Sequence, residues 1–127
     1  MYSKKILERF QNPTYAGGLR GGDGTGKAEN GTEIVKIYIA VDANGYIETV
    51  RFKAYGGVCT IVACDSACQL VEDLSLDKAL KVSANDIVEE SGIPENKKES
   101  AILAEEAIKA AVEDYYKKRE KELKKSK

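Results

Sequence analysis

The stretch EIVKIYIAVDANGYIETVRFKAY, residues 33–55, decides the fold because apolar and polar side chains alternate on both sides of a turn signal. Such alternation, with many β-branched residues, is typical of strands that bury one face. Asn44-Gly45 predicts a two-residue type I′ turn, whose central residues both need positive φ. Two antiparallel strands are therefore predicted, over 33–41 and 46–55. The core-facing positions of these strands are Val35, Ile37, Ile39, Val41, Val50, Phe52 and Ala54.

The segment before this hairpin combines a short helix with a glycine-rich stretch. Ser3 can cap a helix that runs to about Phe10, and Asn12-Pro13 ends it. Residues 16–32 contain seven of the eleven glycines. They are predicted to form an irregular loop with a short strand near 25–29.

The segment after the hairpin is predicted to be helical. One helix is expected from about Cys59 to Leu74, a short one opened by Ser75 or Asp77, and a third capped by Ser83. A long helix is expected over about 97–122, where apolar residues recur at helical spacing. The order of helix, antiparallel strands and helices predicts an α+β fold with helices packed on one sheet face.

Composition predicts a single globular domain over residues 1–127. Twenty basic residues nearly balance twenty-one acidic ones, so the formal charge is -1 and nucleic-acid binding is not expected. The basic end, residues 118–127, is interpreted as a solvated, frayed helix terminus. MYSKKILERF does not resemble a signal peptide, and no run approaches the roughly 20 apolar residues of a membrane span. We therefore expect a cytoplasmic protein that does not enter a membrane.

Histidine is absent from the chain, and this removes the usual general base near neutral pH. No nucleophile–base pair is visible in the sequence, and Asp65 and Asp73 are interpreted as solvated helix residues. The protein is therefore predicted not to be an enzyme, and no catalytic residue is assigned.

All three cysteines lie in YGGVCTIVACDSAC, residues 55–68. On a helix, Cys64 and Cys68 lie one turn apart, whereas Cys59 points about 140° away from Cys64. Cys64 and Cys68 are expected to fill the core beside Ile61 and Val71. Cys59 starts the helix, where backbone N–H groups favour a thiolate, so it is either a ligand or sulfur-accepting thiol or a buried, inert residue.

Several segments together resemble the NifU/IscU family of iron–sulfur cluster assembly scaffolds. They are MYSKKILERFQNP, KIYIAV, NGYIETVRFKAYGG, LDKAL and LAEEAIKAAVEDYYKK, and the resemblance extends over residues 1–118. It implies an antiparallel three-stranded sheet with helices packed on one face. It also implies iron–sulfur cluster or zinc binding, a cysteine desulfurase as a partner, and contacts with other assembly proteins.

The family's ligand positions carry other residues in this chain. The resemblance places the first ligand cysteine at Gly31 or Asn30, and the aspartate at Glu33 or Thr32. The position of the second cysteine carries Gly57, and that of the third carries Ser100. The residue before the third position is Glu99. All three family cysteines are thus replaced, and IPENK at 93–97 keeps only the proline and the final lysine of the family's chaperone-binding segment.

These substitutions predict a divergent scaffold-like protein whose metal or sulfur site is relocated or lost. A relocated site would use Cys59, Glu33 and Cys64. Two alternatives remain open: a cluster-free binding or regulatory module that contacts a cysteine desulfurase or another assembly partner, and an unrelated binding module on the same fold. The sequence does not determine the oligomeric state.

Overall fold

The computed structural model describes residues 2–125, which form three strands, five α-helices and one 3-10 turn. In chain order the elements are α1 (Lys4–Gln11), β1 (Gly24–Glu29), β2 (Ile34–Val41), β3 (Ile47–Tyr55), α2 (Val58–Val71), α3 (Leu76–Ala79), α4 (Ala84–Ser91), the 3-10 turn Glu95–Lys97 and α5 (Lys98–Lys125). Ser3, Ser75 and Ser83 each cap the helix that follows them, as their positions predict.

The sheet is antiparallel with the order β1-β2-β3, so the predicted α+β architecture is confirmed. Strands β2 and β3 pair in a register that places Ile37 opposite Phe52 and Ile39 opposite Val50. These side chains are buried, whereas Lys36 and Lys53 of the same strands are exposed. The period-two pattern therefore predicted both the strands and their buried face.

The turn between β2 and β3 is not the predicted type I′ turn. Only Gly45 has a positive φ, of 82°, and the Gly45 N–H donates to the Asp42 carbonyl at 3.1 Å. The Asp42 carboxylate also accepts from the Asn44 and Tyr46 N–H groups. These side-chain bonds stabilise a type I turn closed by a left-handed glycine, which is a common three-residue hairpin loop.

The short strand predicted in the glycine-rich segment is β1, and its glycines let α5 approach closely. A Cβ atom added to Gly26 would collide with the Ala107 carbonyl oxygen, and one added to Gly24 would collide with that of Ala111. Small residues on both surfaces therefore bring the helix backbone against the strand. This contact packs the middle of α5 against β1.

Helix α2 lies at the centre of the core and ends earlier than predicted. Asp73 has a φ of 67°, and residues 73 and 74 instead exchange backbone hydrogen bonds with Ile47 at the start of β3. Most side chains of α2 are buried, among them Asp65, which is only 3% exposed. The prediction that Asp65 is a solvated helix residue was therefore wrong.

Helix α5 continues further than predicted, through Lys125. Residues 118–125 are exposed and helical, and the last two residues of the predicted basic tail lie outside the described part of the chain. Among residues 2–125, no helix combines the length and apolar composition needed to cross a membrane.

Candidate functional site

The N-terminal ends of α2 and α5 and the β1–β2 turn meet around an open pocket of about 510 Å³. Its wall is mostly polar, and both helices present their first turns to it. The residues that line the pocket are Tyr2, Asn30, Thr32, Glu33, Gly56, Gly57, Val58, Cys59, Thr60, Asn96, Lys97, Glu99 and Ser100. The structure therefore brings together Glu33, Gly57, Glu99 and Ser100, which lie far apart in sequence.

Glu33 is the centre of a hydrogen-bond network in this pocket. Its Oε1 accepts from the Thr60 hydroxyl at 2.6 Å and from the Ser100 hydroxyl, and its Oε2 accepts from the Asn30 amide at 2.9 Å. Thr60 and Ser100 are 2% and 4% exposed, so two of the three donors are shielded from water. The carboxylate thus bonds to the β1–β2 turn, α2 and α5 at once.

These contacts shift the acidity of Glu33. Burial alone would raise the pKa of Glu33, but hydrogen bonds from Ser100, Thr60 and Asn30, together with the nearby Lys97 ammonium, lower it below its ordinary value. Glu33 is therefore a carboxylate at neutral pH, and its charge is stabilised by the groups that surround it.

The β1–β2 turn positions Glu33 through the side chain of Asn30. The Asn30 Oδ1 accepts from the Thr32 and Glu33 N–H groups, and Gly31 between them has a φ of 93°. Gly31 does not line the pocket, but both of its neighbours along the turn, Asn30 and Thr32, do.

The first turn of α2 follows Gly57, which has no side chain to offer. The Gly57 N–H donates to the Thr60 hydroxyl oxygen at 3.2 Å, so Thr60 both caps the helix and binds Glu33. Across the pocket, Lys97 and Glu99 are exposed and Ser100 is buried. The family's ligand positions therefore hold hydroxyl, carboxylate and backbone groups.

Cys59 lies at the pocket but is only 3% exposed. Tyr2 lines the same pocket, and its interaction with the Cys59 side chain raises the pKa of Tyr2. Tyr2 is therefore a neighbour of this thiol at the pocket.

Cys64 and Cys68 do not line the pocket and are fully buried. Burial, followed by the nearby charges of Glu33 and Asp65, raises the pKa of Cys64, and burial likewise raises that of Cys68. Within residues 2–125, no three histidine, cysteine, aspartate or glutamate side chains are grouped so that they could hold a metal ion. Cys59, Cys64 and Glu33 thus do not form a ligand set as they are placed.

The donors in the pocket do not fit an iron–sulfur cluster. Such clusters are held by thiolates, and the positions that the family resemblance assigns to them carry Gly31, Gly57 and Ser100. The carboxylate of Glu33 is a hard oxygen donor, and its two oxygens already accept three hydrogen bonds. These side chains can bind one another and can order two helix ends.

Thr60 of the network and Tyr2, which lines the pocket, were not identified from the sequence as site residues. Thr60 lies one position beyond Cys59, three residues after the glycine that precedes α2, where a hydroxyl can cap a helix. That spacing is a signal for a cap, but it carries no information about a partner 27 residues away.

The comparison with family models gives one match over almost the whole chain. Residues 1–122 match the model described as NifU-like N terminal domain. The iron–sulfur cluster assembly scaffold protein IscU of Escherichia coli (strain K12) is 38% identical over 124 residues, which cover 94% of this chain and 97% of that protein. The iron sulfur cluster assembly protein 2, mitochondrial, of Saccharomyces cerevisiae is 34% identical over 94% of this chain and 80% of that protein.

A solved structure gives the same result at the level of the fold. The N-terminal part of a NifU-like protein from Brucella abortus superposes with a TM-score of 0.71 at 14% sequence identity, covering 92% of this chain and 95% of that one. The resemblance inferred from the sequence is confirmed. The chain belongs to the NifU-like N-terminal domain family and is close to the IscU scaffold proteins of iron–sulfur cluster assembly.

Proposed function

We propose that this protein takes part in iron–sulfur cluster assembly as a divergent scaffold-like protein that does not hold a cluster at the family's site. One observation carries the proposal: the expected thiolate positions are Gly31, Gly57 and Ser100, and Ser100 instead donates to Glu33. Similarity to scaffold proteins over 94% of the chain favours this function over an unrelated binding module.

The proposal includes contacts with other assembly proteins, a cysteine desulfurase among them. The pocket is formed by a turn and two helix ends, which together offer a docking partner a formed surface. We also propose that the protein is not an enzyme and works in the cytoplasm. The lack of histidine supports the first point, and the three free cysteines support the second.

Anaerobic reconstitution with iron and sulfide tests the cluster part of the proposal. After desalting, the unmodified protein should retain little iron and sulfide because glycine and serine supply no thiolate. The matched comparison is the variant Gly31→Cys, Gly57→Cys, Ser100→Cys, which should retain several-fold more. Because Gly31 has a φ of 93°, which strains any residue with a Cβ, Asn30→Cys should replace Gly31→Cys in a second version.

Near-stoichiometric iron and sulfide in the unmodified protein would refute the proposed loss of the site. The variant Cys59→Ser then identifies a relocated site, because retention that disappears with this change must depend on that thiol. Pull-down with a purified cysteine desulfurase tests the partner separately. Absence of any complex at micromolar concentrations would contradict the proposed contact.

A further inference from the structure

We infer that the Glu33 carboxylate replaces a metal centre as the cross-link of this pocket, so that the site is ordered without any metal. This inference rests on the proposed loss of the cluster site, but not on the proposed partners. A clasp, defined here as Glu33 with its donors Asn30, Thr60 and Ser100, joins the β1–β2 turn to the first turns of α2 and α5.

The clasp is a long-range contact. Glu33 lies immediately before β2, whereas Thr60 and Ser100 lie 27 and 67 residues further along the chain, each in the first turn of a helix. A bound metal ion joins distant segments in the same way, because its ligands come from different elements. Here one carboxylate with three donors joins them.

The charge of the pocket suits a carboxylate. The N-terminal end of a helix carries partial positive charge, and two such ends, of the 14-residue α2 and the 28-residue α5, meet at Glu33. The first turn of α2 contains no acidic residue of its own, so Glu33 is the anion that complements it. Lys97 adds a further positive charge at the pocket.

The same groups oppose the binding of a cation. A metal ion bound by both oxygens of Glu33 would have to displace donors at 2.6 Å and 2.9 Å and the Ser100 hydroxyl. Two of these donors, Thr60 and Ser100, are buried, and leaving them unpaired costs about 1–3 kcal/mol for each group. The complete clasp and a metal held by both oxygens therefore exclude each other.

Thermal unfolding of the full chain, with and without metal, tests the inference. The melting temperature of the unmodified protein should be the same in EDTA, in stoichiometric Zn²⁺ and in anaerobic Fe²⁺. Glu33→Ala should lower it by about 5 °C or more and should increase amide hydrogen exchange roughly tenfold at residues 58–61 and 98–101. The matched control is Glu99→Ala, which removes a carboxylate from the same pocket but none of the clasp's hydrogen bonds.

Thr60→Val serves as a second variant if Glu33→Ala does not fold. It keeps the side-chain shape, removes one donor, and should raise exchange at the start of α5 as well as α2, an effect that a local helix cap would not produce. Unchanged exchange at the start of α5 in Glu33→Ala, or in Thr60→Val if Glu33→Ala does not fold, would overturn the inference. A melting temperature that rises with stoichiometric Zn²⁺ or Fe²⁺ would also overturn the inference. The proposed loss of the cluster site is tested separately, by iron and sulfide retention alone.

Discussion

A shielded carboxylate lies at the first turn of α2 and another lies in the middle of the helix, but their electrostatic surroundings are opposite. At the first turn, Glu33 receives three hydrogen bonds, and its pKa lies below the ordinary value. In the middle, Asp65 is more deeply buried, and its pKa lies above the ordinary value. The helix end therefore stabilises a negative charge, whereas the core around the helix middle opposes one.

The partners of Asp65 explain this contrast. Burial raises the pKa of Asp65 more than the Tyr15 N–H, the Arg9 guanidinium and the Thr14 N–H lower it. Arg9 is 3.5 Å from the carboxylate and divides its donors between Ser66 and Gln69. Asp65 therefore serves to hold α1 and the following loop against α2, which is a packing role rather than a site.

The largest effect is expected from removing the carboxylate at the middle of α2. Asp65→Ala should lower the free energy of unfolding by about 3 kcal/mol, because it leaves the Arg9 charge without its partner and the buried Tyr15 N–H without an acceptor. Urea unfolding followed by circular dichroism measures this change.

Two controls sharpen the Asp65 result. Asp65→Asn keeps an oxygen that can accept from Tyr15, so it should cost less than the alanine variant. Glu113→Ala removes an exposed carboxylate from α5 and should change the free energy of unfolding by less than about 0.5 kcal/mol. If Asp65→Ala lowers the free energy of unfolding as little as Glu113→Ala does, Asp65 and its partners do not hold α1 in place.

Thiol reactivity gives the second comparison between the two parts of α2. Limiting iodoacetamide on the folded protein should label Cys59 at least about tenfold faster than Cys64 or Cys68, because Cys59 lines the candidate pocket and the other two do not, and because burial raises the pKa of the other two thiols. Peptide mapping by mass spectrometry gives the three rates.

Tyr2 provides the internal control for this ranking. Tyr2→Ala should accelerate labelling of Cys59 alone, since Tyr2 lines the same pocket as that thiol and interacts with it. Labelling of Cys64 or Cys68 ahead of Cys59 would mean that the middle of α2 opens more readily than its first turn. That result would reverse the contrast between the two regions.

The sequence could predict local features of both regions but not their tertiary partners. The alternation of apolar and polar residues around Asn44-Gly45 depends only on residues that are close in sequence. It predicted the strands correctly but not the turn type, which the side chain of Asp42 determines. The burial of Cys64 and Cys68 followed from helical periodicity. The partners of Asp65 lie about 50 residues away in sequence, and no periodicity encodes such a contact.

The candidate site shows the same limit. The family resemblance identified Gly57 and Ser100, because matching motifs show which residues stand at the ligand positions. The folded chain does bring these two residues together at the pocket. The motifs show each substitution separately and not the contacts of the folded site. The hydrogen bonds of Thr60 and Ser100 to Glu33 depend on how two helix ends meet, which only the folded chain determines.

The smallest effect is a pair of opposite pH dependences. The folded-state pKa of Glu33 is lowered, so its contribution to stability is present above its unfolded pKa and is lost as the pH falls through the folded value. The folded-state pKa of Asp65 is raised, so its contribution is present below its unfolded pKa and is lost as the pH rises through the folded value. Glutamine and asparagine do not titrate, so Glu33→Gln and Asp65→Asn isolate these contributions.

The two pH dependences are measured by urea unfolding of both variants and the unmodified protein between about pH 3 and about pH 7. The stability difference between the unmodified protein and Glu33→Gln should grow as the pH rises, and the difference from Asp65→Asn should grow as the pH falls. Both slopes should be small because Glu33 is only partly buried and Arg9 offsets part of the cost of burying Asp65. Two slopes of the same sign would show that helix position does not separate the carboxylates, because their surroundings would then stabilise both charges or oppose both.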